Sequence, residues 1–533
     1  MEPFILHFYS FVNNSPALLP DKPNARSKFD HCILTLSVVL FFIADKSMFF
    51  HNACDGICHG GSMVFSSLVF LLRFLPLTLL FYFFAPGIRA KNIVLVAASL
   101  IFYAWGEPVW VILLVISSIT DYVCGGLAGK YRSTGMGKLF VIISLVLNLG
   151  LLGFFKYAGF FAENLNAVFG LHIPDPGIAL PVGISFYTMQ TISYTIDVYR
   201  GKAKVQKSFL NFLLFVSMFP QLVAGPIVRY TDIEGQLQER KTTLQGVYEG
   251  IVRFVTGMAK KTLIANYAGS LVVKYLDGDL LSMSAPEVWF GLLCYTFQIY
   301  FDFSGYSDMA IGLGKVFGFT FPENFDHPYV SQSITEFWRR WHITLGSFFR
   351  DYVYIPLGGN RRLQYRNIFI VWMLTGLWHG ASWNFVIWGL YFAVILVIEK
   401  TFLLKAMQKV PKVLRIAYSF ILVVFGFGFF YFEDTGRNIE ALRVMFGLAG
   451  SVFSLTDVLL PAVSYLPFIA VCIICSIPAG SIVPDRIRDR IKSLQIPEGI
   501  RAAAFAACIL AVFVLSAASI VSNSYNPFIY FRF

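Results

Sequence analysis

His379 stands in the quartet Leu377-Trp378-His379-Gly380, inside an apolar run over residues 368–388. That run is long enough to enter a bilayer. A titratable side chain at such depth is expensive and reads by default as a functional group. Burial in a helical bundle favours the neutral imidazole, which can accept a proton. A neutral imidazole suits general-base work on a hydroxyl that attacks an acyl carbon. The bland alternative is a hydrogen-bonded packing histidine, and the residue alone does not separate the two. Trp378 and Trp383 would wall such a pocket, and Gly380 and Ala381 would leave room for a substrate.

His342 closes Trp338-Arg339-Arg340-Trp341-His342, on a segment too polar to span. The two histidines are 37 residues apart. This excludes a pair of metal ligands on one helix but permits a shared pocket. No Cys or Glu cluster accompanies them, so no metal is expected. His342 is expected to position a substrate or to sit at the interface beside Arg and Trp. Arg339, Arg340, Arg350, Arg361 and Arg362 could hold a phosphorylated donor through the guanidinium fork, or lipid head groups. Asp302 and Tyr306 stand four apart and share a helical face. An intramembrane carboxylate faces the interior and finds a partner, here expected to be an arginine of residues 339–350. A buried structural network competes with direct chemistry at Asp302. Gly312, Gly314 and Gly318 have the wrong spacing for a nucleotide loop and read as close helix packing.

These groups need elements to hold them. Hydrophobic residues make up 57% of the 533-residue chain and charged residues 14%, against about 25% charged in soluble domains. The apolar runs are continuous rather than alternating, which predicts an all-α polytopic membrane bundle and excludes a β-barrel. Spans are expected at 64–86, 93–106, 108–127, 138–162, 178–198, 208–228, 286–304, 366–382, 384–403, 413–432, 458–480 and 502–521. Pro181 and Gly183 interrupt one, and Pro220, Gly225 and Pro226 another; broken helices of this kind line cavities or pack inside protein. Residues 244–275 read as a long interfacial helix carrying Lys260 and Lys261. Trp338, Trp341, His342, Leu345 and Phe349 fall on one helical face, which predicts an interfacial or re-entrant helix over 333–357.

The net charge of +11 is no nucleic-acid signal, because Lys and Arg sit mostly in short loops between apolar runs. The eight cysteines form no disulfide framework, and those in apolar runs read as small buried thiols. His51, Cys54, Cys58 and His59 resemble a metal site only loosely. Residues 1–62 differ from the rest of the chain: their one apolar run, 33–44, is short for a span. Translation from Met63 is the preferred reading, with a true N-terminal extension as the alternative.

Several blocks together resemble the membrane-bound O-acyltransferase family, and most of all its bacterial alginate O-acetylase branch. They are Pro181-Val182-Gly183-Ile184-Ser185-Phe186-Tyr187, Phe219-Pro220-Gln221-Leu222-Val223-Ala224-Gly225-Pro226, residues 301–308, 333–342, 350–361 and 377–383, and the tail 526–531. The likeness covers residues 63–533 and leaves out 1–62. It implies a ring of helices around a central tunnel, with re-entrant elements. It implies a cytosolic acyl thioester donor, acetyl-CoA, with no bound cofactor. It also implies an extracytoplasmic partner of the SGNH type, a surface polysaccharide as final acceptor, and a multi-pass place in the bacterial plasma membrane. His379 matches the family's invariant histidine and His342 its second. Asp302, Trp378, Trp341, Arg340 and Asn384 are expected around the substrate, with Asn384 and Trp383 as weak oxyanion candidates. A sibling branch that transfers D-alanine to teichoic acid shares both histidines. The rival class is a transporter or flippase for lipid-linked sugars, which would use the same broken helices.

Overall fold

The computed structural model describes residues 63–223, 225–451, 455–478, 497–522 and 529. The start-site reading, the His51–His59 group and all of the tail but Ile529 lie outside the described residues. Among the described residues, all regular structure is helical. In chain order the helices that matter are α1 (Gly87–Gly106), α2 (Trp110–Lys130), α3 (Gly135–Phe169), α4 (Ile184–Arg200), α5 (Leu244–Ala259) and α6 (Ala285–Val316). They continue with α7 (Ile334–Arg340), α8 (Ile343–Phe349), α9 (Gln364–His379), α10 (Trp383–Met407), α11 (Lys412–Tyr431) and α12 (Glu498–Ser522).

Six of these, α1, α2, α3, α10, α11 and α12, are long and apolar enough to cross a membrane. Their outward side chains include Ile101, Ile112, Val146, Phe161 and Leu515, all exposed. An apolar outer face of this extent needs lipid around it. Twelve spans were expected; Phe70–Phe84 and Val463–Ser476 are apolar and outward-facing but shorter, and two further expected spans are interior elements. The expected span 178–198 is α4, which is buried on almost every side and rich in Ser, Thr and Tyr. It starts after Gly183, whose φ of 77° and closeness to the Leu222 carbonyl leave no place for a side chain. The run 208–228 breaks into Phe209–Ser217 and the single turn Phe219–Leu222.

Polar groups join this inner layer to the lipid-facing one. Asp121 on α2 accepts from Ser144, from Asn148 Nδ2 at 2.7 Å and from Thr195 at 3.3 Å. One carboxylate thus ties α2, α3 and α4 together, because every donor around it would otherwise be stranded in an apolar interior.

The helix expected at the interface over 244–275 is instead packed along α6. Gly250 lies against Gly312 and Gly257 against Gly305; a Cβ at Gly250 would reach 2.6 Å from the Gly312 carbonyl oxygen. Small residues let two helices approach to backbone contact. Gly312 therefore serves close packing, as expected. Lys261 follows α5 in a π-turn and is buried, paired with Asp302 at 2.6 Å.

Residues 333–357 are not one helix. The chain breaks at His342, whose φ is 45°, so α7 and α8 run separately. The single-face pattern read from the sequence therefore does not exist. Ser333 caps α7, and buried Glu399 accepts from the Ile334 and Thr335 amides at 2.7 Å each. An anion placed on the first amides of a helix satisfies donors that have no intrahelical partner.

Candidate active site

His342 and His379 reach one place from two sides. His379 is the last residue of α9, and His342 is the residue before α8. Trp378 bridges them: its ring centroid lies 5.8 Å from that of His342 and 4.8 Å from that of His379. His342 and Lys156 both lie near enough to act electrostatically on His379. The histidines are 2% and 6% exposed. They sit on the seam between two apolar clusters, with Trp378 in one and Phe385, Trp388 and Phe430 in the other.

The His342 ring is held through Asn324. Asn324 Oδ1 lies 3.0 Å from His342 Nδ1 and accepts from Thr344 Oγ1 at 2.9 Å, while Asn324 Nδ2 donates to Ser307 at 3.1 Å. A carbonyl oxygen only accepts, so Nδ1 carries the hydrogen and Nε2 the lone pair. The Ile343 amide donates to the Asn324 carbonyl at 3.0 Å. The left-handed backbone at His342 is one that histidine tolerates better than most residues.

His379 ends its helix with carbonyls that need donors. Lys156 Nζ reaches the Trp378 carbonyl at 2.5 Å and that of His379 at 3.2 Å, and Tyr157 Oη the Leu377 carbonyl at 2.7 Å. Both residues belong to a π-turn within α3, Gly153–Tyr157. Trp388 and Phe430 flank the imidazole, each ring centroid at 5.1 Å. A cavity of about 610 Å³ opens beside this end of α9, lined by Lys156, Glu163, Asn166, Asp175, Leu180 and Ala381.

Several expected residues fall elsewhere. Trp383 does not wall the pocket; it is 53% exposed and donates to Asn164 Oδ1 at 2.9 Å. The space at Gly380 is filled by the Phe385 ring rather than left for substrate. Asn384 is buried and donates to the Phe429 carbonyl at 3.2 Å. Trp341 packs among Phe325, Phe337 and Phe427. Arg340 bonds to Glu336 at 3.0 Å and Asp326 at 3.1 Å, which fastens α7 to the preceding loop. Asp302 takes Lys261 in place of the expected arginine and also accepts the Ile529 amide at 3.0 Å. Its neighbour Phe303 lies 4.7 Å from the His342 ring.

Lys156, Tyr157 and Asn324 were missed. Lys156 had a signal, since a lysine inside the run 138–162 is as costly as the histidine that drew attention. Asn324 had none, because it lies in a loop with no periodicity.

The architecture is that of a polytopic helical membrane protein with two histidines meeting in its interior. The chain belongs to the membrane-bound O-acyltransferase family, whose sequence model matches residues 202–435. It is a multi-pass membrane O-acyltransferase. It is 43% identical over 400 residues to a protein named probable alginate O-acetylase from Azotobacter vinelandii, covering 72% of this chain and 79% of that one. A protein of the same name from Pseudomonas putida is 39% identical over 88% of this chain and all of its own length. The peptidoglycan O-acetyltransferase of Helicobacter pylori is 35% identical over 73% of this chain and 80% of that one.

Proposed function

We propose that this enzyme takes an acetyl group from a cytosolic thioester, acetyl-CoA, for O-acetylation of an extracytoplasmic polysaccharide of the alginate type. In this reading it sits in a bacterial plasma membrane and hands the acetyl group on to an SGNH-type partner. The observation that carries it is the meeting of His342 and His379 on Trp378 in an interior otherwise built of aromatic rings. His379 accepts the proton of the attacking hydroxyl. His342, its Nε2 made the basic nitrogen by the bond to Asn324, positions the reacting group. The cavity at Ala381 supports an acceptor route, because it ends two residues from His379. The names of the relatives support acetyl transfer to a glycan over a transporter role.

D-alanyl transfer is the second reading. The teichoic acid D-alanyltransferase of Bacillus subtilis is 29% identical over 49% of this chain, a shorter and weaker likeness than that to the acetylases. The test measures acetyl ester in the surface polysaccharide of cells carrying wild type or His379→Ala at equal protein level. Loss of the ester is expected. Unchanged acetylation with altered polymer export would favour a transporter.

A further inference from the structure

Trp378 carries a second feature besides its ring. Its Nε1 has no hydrogen-bond partner among the described residues, although the side chain is only 6% exposed. An indole N–H donates and cannot accept, and when buried it usually finds a partner. A donor held in a dry interior without an acceptor calls for an explanation. Two other buried indoles share this state, Trp338 and Trp388. They differ in place. Trp338 touches Trp372, Trp388 and Phe392. Trp388 touches His379, Trp338, Phe392 and Phe430. Trp378 alone of the three has ring contacts with both histidines.

Its position is also fixed from outside. The Trp378 carbonyl is held by Lys156, and its ring packs edge-on against Phe186 at 5.5 Å. Such a donor needs no reorganisation when negative charge develops beside it, which is how preorganised donors stabilise a transition state.

We infer that the Trp378 indole N–H is the oxyanion donor of the acyl transfer, an inference that rests on the thioester reading above. The acceptor hydroxyl oxygen bonds to the thioester carbonyl carbon. The hydroxyl proton passes to the His379 ring, and the carbonyl π pair moves onto oxygen, to which the Trp378 N–H donates a hydrogen bond. On collapse the pair returns to the carbonyl and the C–S bond breaks. The departing thiolate takes the proton from the imidazolium, which restores neutral His379.

The test removes the N–H and keeps the bicyclic ring. 3-Benzothienylalanine, with sulfur in place of N–H, is introduced at position 378 in the purified full chain, and at position 338 in a parallel variant. Thiol release from acetyl-CoA is followed with the co-purified SGNH-type partner protein, or with water, as acceptor. The analogue at 378 is expected to lower kcat about a hundredfold while KM for acetyl-CoA stays near the wild-type value, because the bond forms only in the transition state. The same analogue at 338 is expected to leave both constants near wild type. Unchanged kcat at 378, a loss expressed in KM, or an equal loss at 338 would overturn the assignment. A wild-type enzyme that releases no thiol while His379→Ala still abolishes acetylation in cells overturns the acetyl-CoA reading instead. In that case the substitution at 378 is scored on polysaccharide acetyl ester, where full retention overturns the oxyanion role.

Discussion

At the scale of single residues, the proposed chemistry depends on which ring nitrogen of His342 is basic. Asn324 decides this by accepting from Nδ1 while also satisfying Thr344 and Ser307. Replacement by leucine would strand all three polar groups in a buried site, where each costs about 1–3 kcal/mol. Asn324→Leu is therefore expected to lower stability by a few kcal/mol (about 2 or more) and to cut turnover on the order of tenfold. Asn324→Asp keeps the acceptor for Nδ1 and should retain most of the turnover, while its buried carboxylate and the lost donor to Ser307 lower stability. Thermal denaturation in detergent, run beside initial-rate assays, separates the two effects. Wild-type rates in Asn324→Leu would show that the tautomer of His342 is irrelevant.

At the scale of elements, helices meet through paired groups that neither partner could bury alone. Lys261 leaves α5 and Asp302 leaves α6, and both are almost fully buried. The same carboxylate accepts from the Ile529 amide and so holds that residue to the core. Breaking such a pair from one side leaves an uncompensated charge and costs about 3–5 kcal/mol. Asp302→Leu and Lys261→Met alone are each expected to lose the folded, monodisperse protein on size exclusion. The double replacement should recover much of it, because it leaves no buried charge. A double variant no better than either single would show that the ion pair supplies more than charge balance.

At the scale of the whole molecule, charge is distributed unevenly between the ends. Arg132 donates to the Arg200 carbonyl at 2.9 Å, Arg200 to that of Asp351 at 3.3 Å, and Arg229 and Arg350 each bond to the Asp351 carboxylate at 2.7 Å. The cavity beside His379 carries Glu163 and Asp175 together with Lys156. Basic loops stay in the cytoplasm, so a membrane-impermeant maleimide should label Asp175→Cys in intact cells and Arg361→Cys only after lysis. The reverse pattern would invert the proposed direction of transfer. The basic end also sets an acid limit. Burial alone would raise the Asp351 carboxyl, but hydrogen bonds and charge from Arg350 and Arg229 outweigh it and hold the group at about 2. A carboxyl depressed on folding contributes stability that is complete above its unfolded value, about 4, and lost as pH falls through its folded one. Melting temperature should therefore drop between about pH 4 and pH 2, and Asp351→Asn should flatten that limb. An unchanged acid limb in the variant would assign it to other groups.

Helical membrane architecture, the burial of His379 inside the bundle and the outlines of six spanning runs were legible in the residues alone. Long apolar runs and the cost of a titratable group in lipid are properties of local sequence, independent of what packs against what. Interior helices were not legible in the same way. The helix Ile184–Arg200 reads as a span because the energy of burial against protein resembles that of burial in lipid; only its neighbours show that lipid never reaches it. The break at His342 was hidden, since the aromatic spacing on either side fits one continuous helix. Partners distant in the chain were also beyond reach: Asn324 for His342, Lys156 for the end of the His379 helix, Lys261 for Asp302. Hydrogen bonds and ion pairs are short-ranged and directional, so their choice among many suitable side chains is made by the folded backbone.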